Sequence, residues 1–214
     1  MEPVRKVVTR TGRSMRGKFP SLKMGRSIGC ESRLEADAAL LFEWTPEVLR
    51  YYAQPCHEFP SDGINTSRYT PDFLLEMVDG TNIYVEIKPA QKLMNPTLRQ
   101  RLTDIESHFR RSDRAFQIFT EITLRNDVIR TNARKLQYHA RRLPESVEFW
   151  ETYHRLIRNT DLTFGDVQHA FNDPRHAFQL LSNRWLAFDL ELPLTSNTPM
   201  VLPGPEVRHV AFQI

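Results

Sequence analysis

The 214-residue chain has no apolar run of about 18 residues or more, the length a membrane-spanning helix needs, so a membrane span is excluded. Its first residues lack the apolar core of a secretory signal, and the expectation is a cytoplasmic chain. Cysteine is scarce. Cys30 and Cys56 are the only two, without C-x-x-C spacing, which argues against a disulfide framework and for a reduced compartment. Cys56-His57 could be half of a zinc site, but no second half is visible. Internal repeats and low-complexity tracts are absent as well.

Net charge is small, at +3, but very uneven along the chain. Residues 1–33 hold nine Lys/Arg against Glu2 and Glu31, and residues 34–98 hold four against ten acids. Residues 99–142 return to eleven against five, and residues 143–214 have five against nine. Acid therefore concentrates in one central stretch with base on both sides of it, as a phosphate-binding rim around an anionic centre would be built. Residues 1–29 show dispersed basic residues and no sustained apolar period, and read as a flexible basic arm.

The acidic stretch contains the pattern P-D-x13-E-x-K, from Pro71-Asp72 to Glu86-Ile87-Lys88. Two β-rich runs, Phe73 to Val78 and Asn82 to Val85, flank Asp79-Gly80-Thr81 and predict an antiparallel hairpin. Phe73, Leu75, Met77, Ile83, Val85 and Ile87 occupy odd positions, whereas Asp72, Glu86 and Lys88 are even. Side chains alternate on a strand, so a turn with an odd number of residues brings the two carboxylates and the lysine onto one face. Clustered carboxylates suit Mg²⁺, and a lysine beside them can orient or deprotonate a water or neutralise charge on a phosphorane. The same string would also fit a surface hairpin whose charges are merely solvated.

The context is more specific. Leu34, Ala38, Leu41 and Phe42 recur at helical spacing behind Ser32 as N-cap, with Glu35 at the edge of the apolar face. A strand is expected near His57–Phe59, a helix over Leu98 to Arg111, a strand at Phe116 to Glu121, and a basic helix from Asn126 to Arg142. The run S-x-L-E-x-D-x-x-L-L-x-E, the pair Gln54-Pro55, Y-T-P-D-F, V-E-I-K-P, and Phe-Thr-Glu followed by N-A-R-K-L resemble TnsA. TnsA is the endonuclease subunit of heteromeric, Tn-seven-type transposases.

The resemblance covers about residues 30–142. It implies an α/β, restriction-endonuclease-like core, a mixed sheet flanked by helices. It also implies an Mg²⁺-dependent (or Mn²⁺-dependent) endonuclease that cuts the 5′ strands at transposon ends. The partners it implies are DNA, a TnsB-like DDE transposase and a TnsC-like AAA+ ATPase. Carried over by position, the catalytic set is Glu35, Asp72, Glu86 and Lys88. Metal ligands would be Asp72, Glu86 and the Ile87 carbonyl, supported by Glu35. Glu86 stands where the founding member has Gln, so metal stoichiometry stays open. A stand-alone restriction or repair nuclease of the same fold, and a non-catalytic DNA or protein adaptor, are the alternatives.

Beyond Leu143 the pattern changes to an aromatic helix, Val147 to Ile157, then short helices from Thr163 and from Pro174 to Leu181. A strand-like Trp185 to Leu190 and a last strand at Val207 to Phe212 follow. This reads as a small winged-helix-like α+β domain over 143–214. Its acidic balance favours a protein partner over DNA. The organisation expected is arm 1–29, nuclease domain 30–142 and partner-binding domain 143–214.

Overall fold

The computed structural model describes residues 3–4, 17–61 and 66–203 of the chain. It is a mixed α/β protein that packs as two compact units, Met1–Asn126 and Asp127–Ile214. Among the described residues, no helix is long and apolar enough to cross a membrane.

The first unit is built on a four-stranded sheet. Its strands are β3 (Val48–Ala53), β4 (Phe73–Met77), β5 (Asn82–Ile87) and β6 (Ala115–Phe119), in that spatial order. The pairs β3–β4 and β4–β5 are antiparallel, while β6 lies parallel to β5, so the sheet is mixed. The crossover from β5 to β6 is made by a short 3₁₀ turn, Ala90–Met94, and helix α2, Pro96–Arg111. Asn95 caps α2 through its side chain, with Pro96 at the first helical position, where a missing N–H costs nothing.

Each face of the sheet is covered by one helix. On the odd face lies helix α1 (Arg33–Trp44), whose Phe42 meets Phe73 edge-on at 5.3 Å and approaches Phe119 at 6.1 Å. On the even face, Leu102, Ile105 and Phe109 of α2 pack with Tyr69, Tyr84, Phe116 and Ile118. The strand expected near His57–Phe59 is not formed. Glu58 makes only an isolated bridge to Tyr69, between Pro55 and Pro60, and the strand beside β4 is instead β3.

The arm expected over residues 1–29 is corrected in part. Strands β1 (Gly17–Ser21) and β2 (Arg26–Cys30) pair as an antiparallel hairpin, while residues 5–16 lie outside the described residues. Lys23 at the hairpin turn explains the order. Its Nζ donates to the carbonyls of Phe42 at 2.5 Å, Thr45 at 2.9 Å and Val48 at 2.6 Å. It therefore caps the carbonyl end of α1, where partial negative charge accumulates. Glu43, 2 % exposed, accepts from the Ser21 hydroxyl, the Lys23 backbone N–H and the Tyr51 hydroxyl. A buried carboxylate is tolerated only with such donors, and two of the three come from the hairpin.

The second unit contains α4 (Asp127–His139), α5 (Val147–Leu156), α6 (Phe164–Ala170) and α7 (Arg175–Ser182), after the short α3 (Glu121–Leu124) that ends the first unit. α4 packs on α7, and His139 stacks on Phe178 with ring centroids 4.1 Å apart. Asn132, 1 % exposed, donates to the carbonyls of Leu190 and Leu192 and accepts from the Leu194 N–H. These contacts hold α4 in the second unit, whereas the sequence reading placed that helix in the core domain ending at residue 142. The charge argument changes with it: residues 127–214 carry ten Lys/Arg and ten Asp/Glu, so the unit is not acidic.

Trp185 to Leu190 forms no strand. It contributes the bridge Ala187 to Val201, and Thr163 bridges Pro199. The strand expected at Val207 to Phe212 lies outside the described residues.

Candidate active site

The hairpin turn decides which side chains meet. Val78, Asp79 and Gly80 lie between Met77 and Thr81, whose N–H and C=O pair at 2.8 Å, so the turn holds an odd number of residues. Gly80 sits at φ +87°, the left-handed conformation that closes a three-residue hairpin loop. The register Phe73 with Val85 and Leu75 with Ile83 pairs odd with odd positions. Asp72 and Glu86 therefore end up on one face at the open end of the hairpin.

There the Ile87 N–H donates to Asp72 Oδ2 at 2.8 Å, continuing the ladder through a side chain. The Asp72 carbonyl accepts from the N–H of Gln54, a buried residue at φ +49°. Lys88 keeps the parallel pairing to β6 through its N–H to the Phe119 carbonyl, at 3.0 Å. Its Nζ pairs closely with Glu86 Oε1, lies 3.6 Å from Asp72 Oδ2, and donates to the Ile87 carbonyl at 3.3 Å. The ammonium is thus in contact with two carboxylates and one backbone carbonyl.

Glu35 stands apart from this contact set. It lines the same cleft but is the third residue of α1, and its carboxylate turns back to the helix start. It accepts from the Glu31 N–H at 2.7 Å and the Ser32 hydroxyl at 2.9 Å, while Ser32 Oγ accepts the Glu35 N–H. This is a capping arrangement. No hydrogen bond or ion pair given by the structure joins Glu35 to Asp72, Glu86 or Lys88. Its influence on them is through space: the Lys88 charge pulls the Glu35 pKa down, and Glu35 pushes that of Asp72 up.

Burial, then the charge of Glu86, pushes the Asp72 carboxyl up to about 7, against the opposing pull of Lys88 and the Ile87 N–H. Burial also dominates at Glu35 and holds it above the ordinary carboxylate range. Burial pulls Lys88 down, but Asp72 and Glu86 outweigh it and hold the lysine above its usual value. The cleft thus crowds carboxylates around one ammonium.

Whether the residues suit a divalent cation is tested by that ammonium. Nζ contacts Asp72, Glu86 and the Ile87 carbonyl, the same three hard oxygen donors expected of Mg²⁺ ligands. Among the described residues, no three His, Cys, Asp or Glu side chains stand together so as to hold a metal ion. The donor set that fits is therefore two carboxylates plus one backbone carbonyl.

Tyr69 was missed in the sequence. Its hydroxyl donates to Glu86 Oε2 at 2.6 Å, so Lys88 holds one oxygen of that carboxylate and Tyr69 the other. The Tyr69 ring is 7 % exposed and packs edge-on to Phe109 and Phe116. Its position three residues before Asp72, in Tyr-Thr-Pro-Asp, was the available signal. His57, Arg68 and Arg101 also line the cleft, which encloses about 510 Å³. His57 Nδ1 is 2.8 Å from the Thr70 hydroxyl.

Residues 45–121 match a protein-family model described as TnsA-like endonuclease N terminal. The match spans β3 through β6 and contains Asp72, Glu86 and Lys88, while Glu35 lies outside it. The resemblance read from the sequence to a TnsA-like endonuclease is borne out over this stretch. No curated protein matches the chain.

Proposed function

From the TnsA-like match of residues 45–121, we propose that the protein is an Mg²⁺-dependent DNA endonuclease that cuts the 5′ strands at transposon ends, working with a TnsB-like transposase and a TnsC-like ATPase. The observation that carries the reading is the convergence of Asp72, Glu86, the Ile87 carbonyl and Lys88 at the open end of one hairpin. Asp72, Glu86 and the Ile87 carbonyl would hold the Mg²⁺, which when bound supplies Lewis-acid stabilisation of charge at phosphorus and oxygen. Mn²⁺ would substitute for it. Glu35 supports the site from the N-terminus of α1 through the electrostatic field.

Lys88 acts on the attacking water. Beside Asp72 and Glu86, its amine positions or activates the attacking water and can neutralise developing negative charge. Tyr69 fixes the second Glu86 oxygen. In the second unit, Pro199 bridges Thr163 and Val201 bridges Ala187, which places one short extended segment between two others beside α5, α6 and α7. That arrangement supports a winged-helix-like reading, and we assign the unit, which lies beyond the matched residues, to coupling with the transposase and the ATPase that the family resemblance implies as partners.

The test is a reconstituted cleavage reaction with end-labelled transposon-end DNA. Asp72→Ala and Glu86→Ala should remove 5′ nicking while 3′ cutting by the transposase continues. Lys88→Ala should slow 5′ nicking about 100-fold or more, the usual size of a lost charge-stabilising group. Full nicking by the Asp72→Ala protein would rule out the proposed site.

A further inference from the structure

A second charged cluster, none of whose members lines the cleft, is built around Glu58. Arg114, the residue before β6, forks onto the two Glu58 oxygens at 2.6 and 2.9 Å. His108 Nε2, on α2, stands 2.9 Å from one of them, and the Cys56 thiol donates to the other at 3.4 Å. We propose that Arg114 and Glu58 are positioning residues for the carboxylate of Glu86, acting through Tyr69. This rests on the nuclease reading of the site that contains Glu86.

The path between them is continuous. The N–H and C=O of Glu58 both pair with Tyr69 at 2.8 Å, and the Tyr69 hydroxyl donates to Glu86 Oε2 at 2.6 Å. The backbone pair is an isolated bridge between Pro55 and Pro60, so it is not part of a continuous strand ladder. Glu58 is fixed instead through its side chain. With 13 % of that side chain exposed, the carboxylate depends on the donors clustered on it.

Arg114 reaches Tyr69 by a second route as well. Its guanidinium lies over the Phe109 ring, 4.7 Å from the centroid, and Phe109 stacks on Phe116 at 5.1 Å. Tyr69 packs edge-on against both rings. Loss of the guanidinium therefore loosens the bridge that carries the Tyr69 backbone and the rings that hold its side chain.

The consequence falls on Glu86. Lys88 holds one oxygen of that carboxylate and Tyr69 the other. A tyrosine that shifts releases Oε2, and the carboxylate turns about its remaining partner. Groups that orient a metal-ligating side chain are worth about 10–100-fold in metal affinity or activity. Lysine replaces Arg114 poorly, because an ammonium is a point charge where the guanidinium fork makes two parallel bonds.

The test uses the full chain with Arg114→Ala and Arg114→Lys, each alone and combined with Tyr69→Phe. Mn²⁺ binding is measured by calorimetry, and single-turnover 5′ nicking with the partner proteins at saturating DNA. Arg114→Ala should weaken Mn²⁺ binding and slow nicking, each about tenfold, with no change in the DNA concentration required. Arg114→Lys keeps a cation beside Glu58 and over Phe109, so it keeps the fold and should show an intermediate loss. In the Tyr69→Phe background neither substitution should change either quantity, because the path is already cut at the hydroxyl. Arg110→Ala, which breaks the exposed pair with Glu106, should leave both at wild type.

Equal losses with and without the Tyr69 hydroxyl overturn the positioning role, since the guanidinium would then act on stability alone. Wild-type values in both Arg114 variants overturn it too. Mn²⁺ binding that depends on Arg114 only when Tyr69 is present, in a wild-type chain that does not cut, supports the positioning and sinks the nuclease reading. A wild-type chain that neither binds Mn²⁺ nor cuts overturns both.

Discussion

Asp72→Asn should make the first unit more stable in the absence of divalent cations, and by an amount that depends on pH. Burial and Glu86 hold the Asp72 carboxyl up at about 7 in the folded chain, against an ordinary value of 3.8. Between those two values the folded state keeps a proton that the unfolded state has released. Stability must therefore fall as pH rises through the window, by up to about 1.4 kcal/mol per pH unit, and level off above about pH 7. Asparagine still accepts the Ile87 N–H but cannot ionise, so the variant escapes the loss. Lys88 gives up one of its two carboxylate partners, which takes back part of the gain. We expect Asp72→Asn to exceed wild type by about 2–4 kcal/mol at pH 8 and by little near pH 4. Hydrogen exchange of the β4 and β5 amides in EDTA reads this for the first unit alone. Adding Ca²⁺ should restore wild type toward the variant and leave the variant unmoved. A difference independent of pH, or a variant less stable than wild type at pH 8, would refute the charge-crowding argument.

Tyr69→Phe removes one hydroxyl and should cost about 1–3 kcal/mol by leaving Glu86 Oε2 without its donor, measured by urea unfolding. Its 5′ cleavage rate should drop more than its DNA affinity. Truncation to residue 17 should leave the first unit folded, whereas truncation to residue 31 removes Lys23 and Ser21 from Glu43 and should cost about 3–5 kcal/mol by differential scanning calorimetry. Equal melting of the two truncations would show that the hairpin is not part of the fold. Gly165→Ala should destabilise the second unit by about 1–3 kcal/mol, because a Cβ there would stand 2.9 Å from the Ser196 carbonyl oxygen. Unchanged hydrogen exchange in α6 and α7 would count against that contact.

The hairpin and the face shared by Asp72, Glu86 and Lys88 were legible in the sequence because strand alternation has a period of two. A short turn then leaves only a parity to choose, and three residues between Met77 and Thr81 settled it. Helices α1, α2, α5, α6 and α7 were legible for the same reason: local periodicity and caps are written in neighbouring residues. Contacts between distant residues were not. Nothing near Lys23 in the chain announces three carbonyl partners at Phe42, Thr45 and Val48, so an ordered hairpin read as a basic arm.

Glu35 shows the limit at the site itself. The sequence placed it on α1 near the carboxylates, but only the packed structure turned its oxygens toward Glu31 and Ser32 and left Asp72, Glu86 and Lys88 in contact. Likewise α4 was predicted as a helix, and its membership in the second unit was decided by Asn132 reaching Leu190, Leu192 and Leu194. The sequence by itself determined the elements, the hairpin parity and the identity of the charged cluster, because these depend on local sterics and spacing. The tertiary structure decided which charges are neutralised, which arginines remain exposed beside the cleft, and where one unit ends, because each depends on what a side chain meets far along the chain.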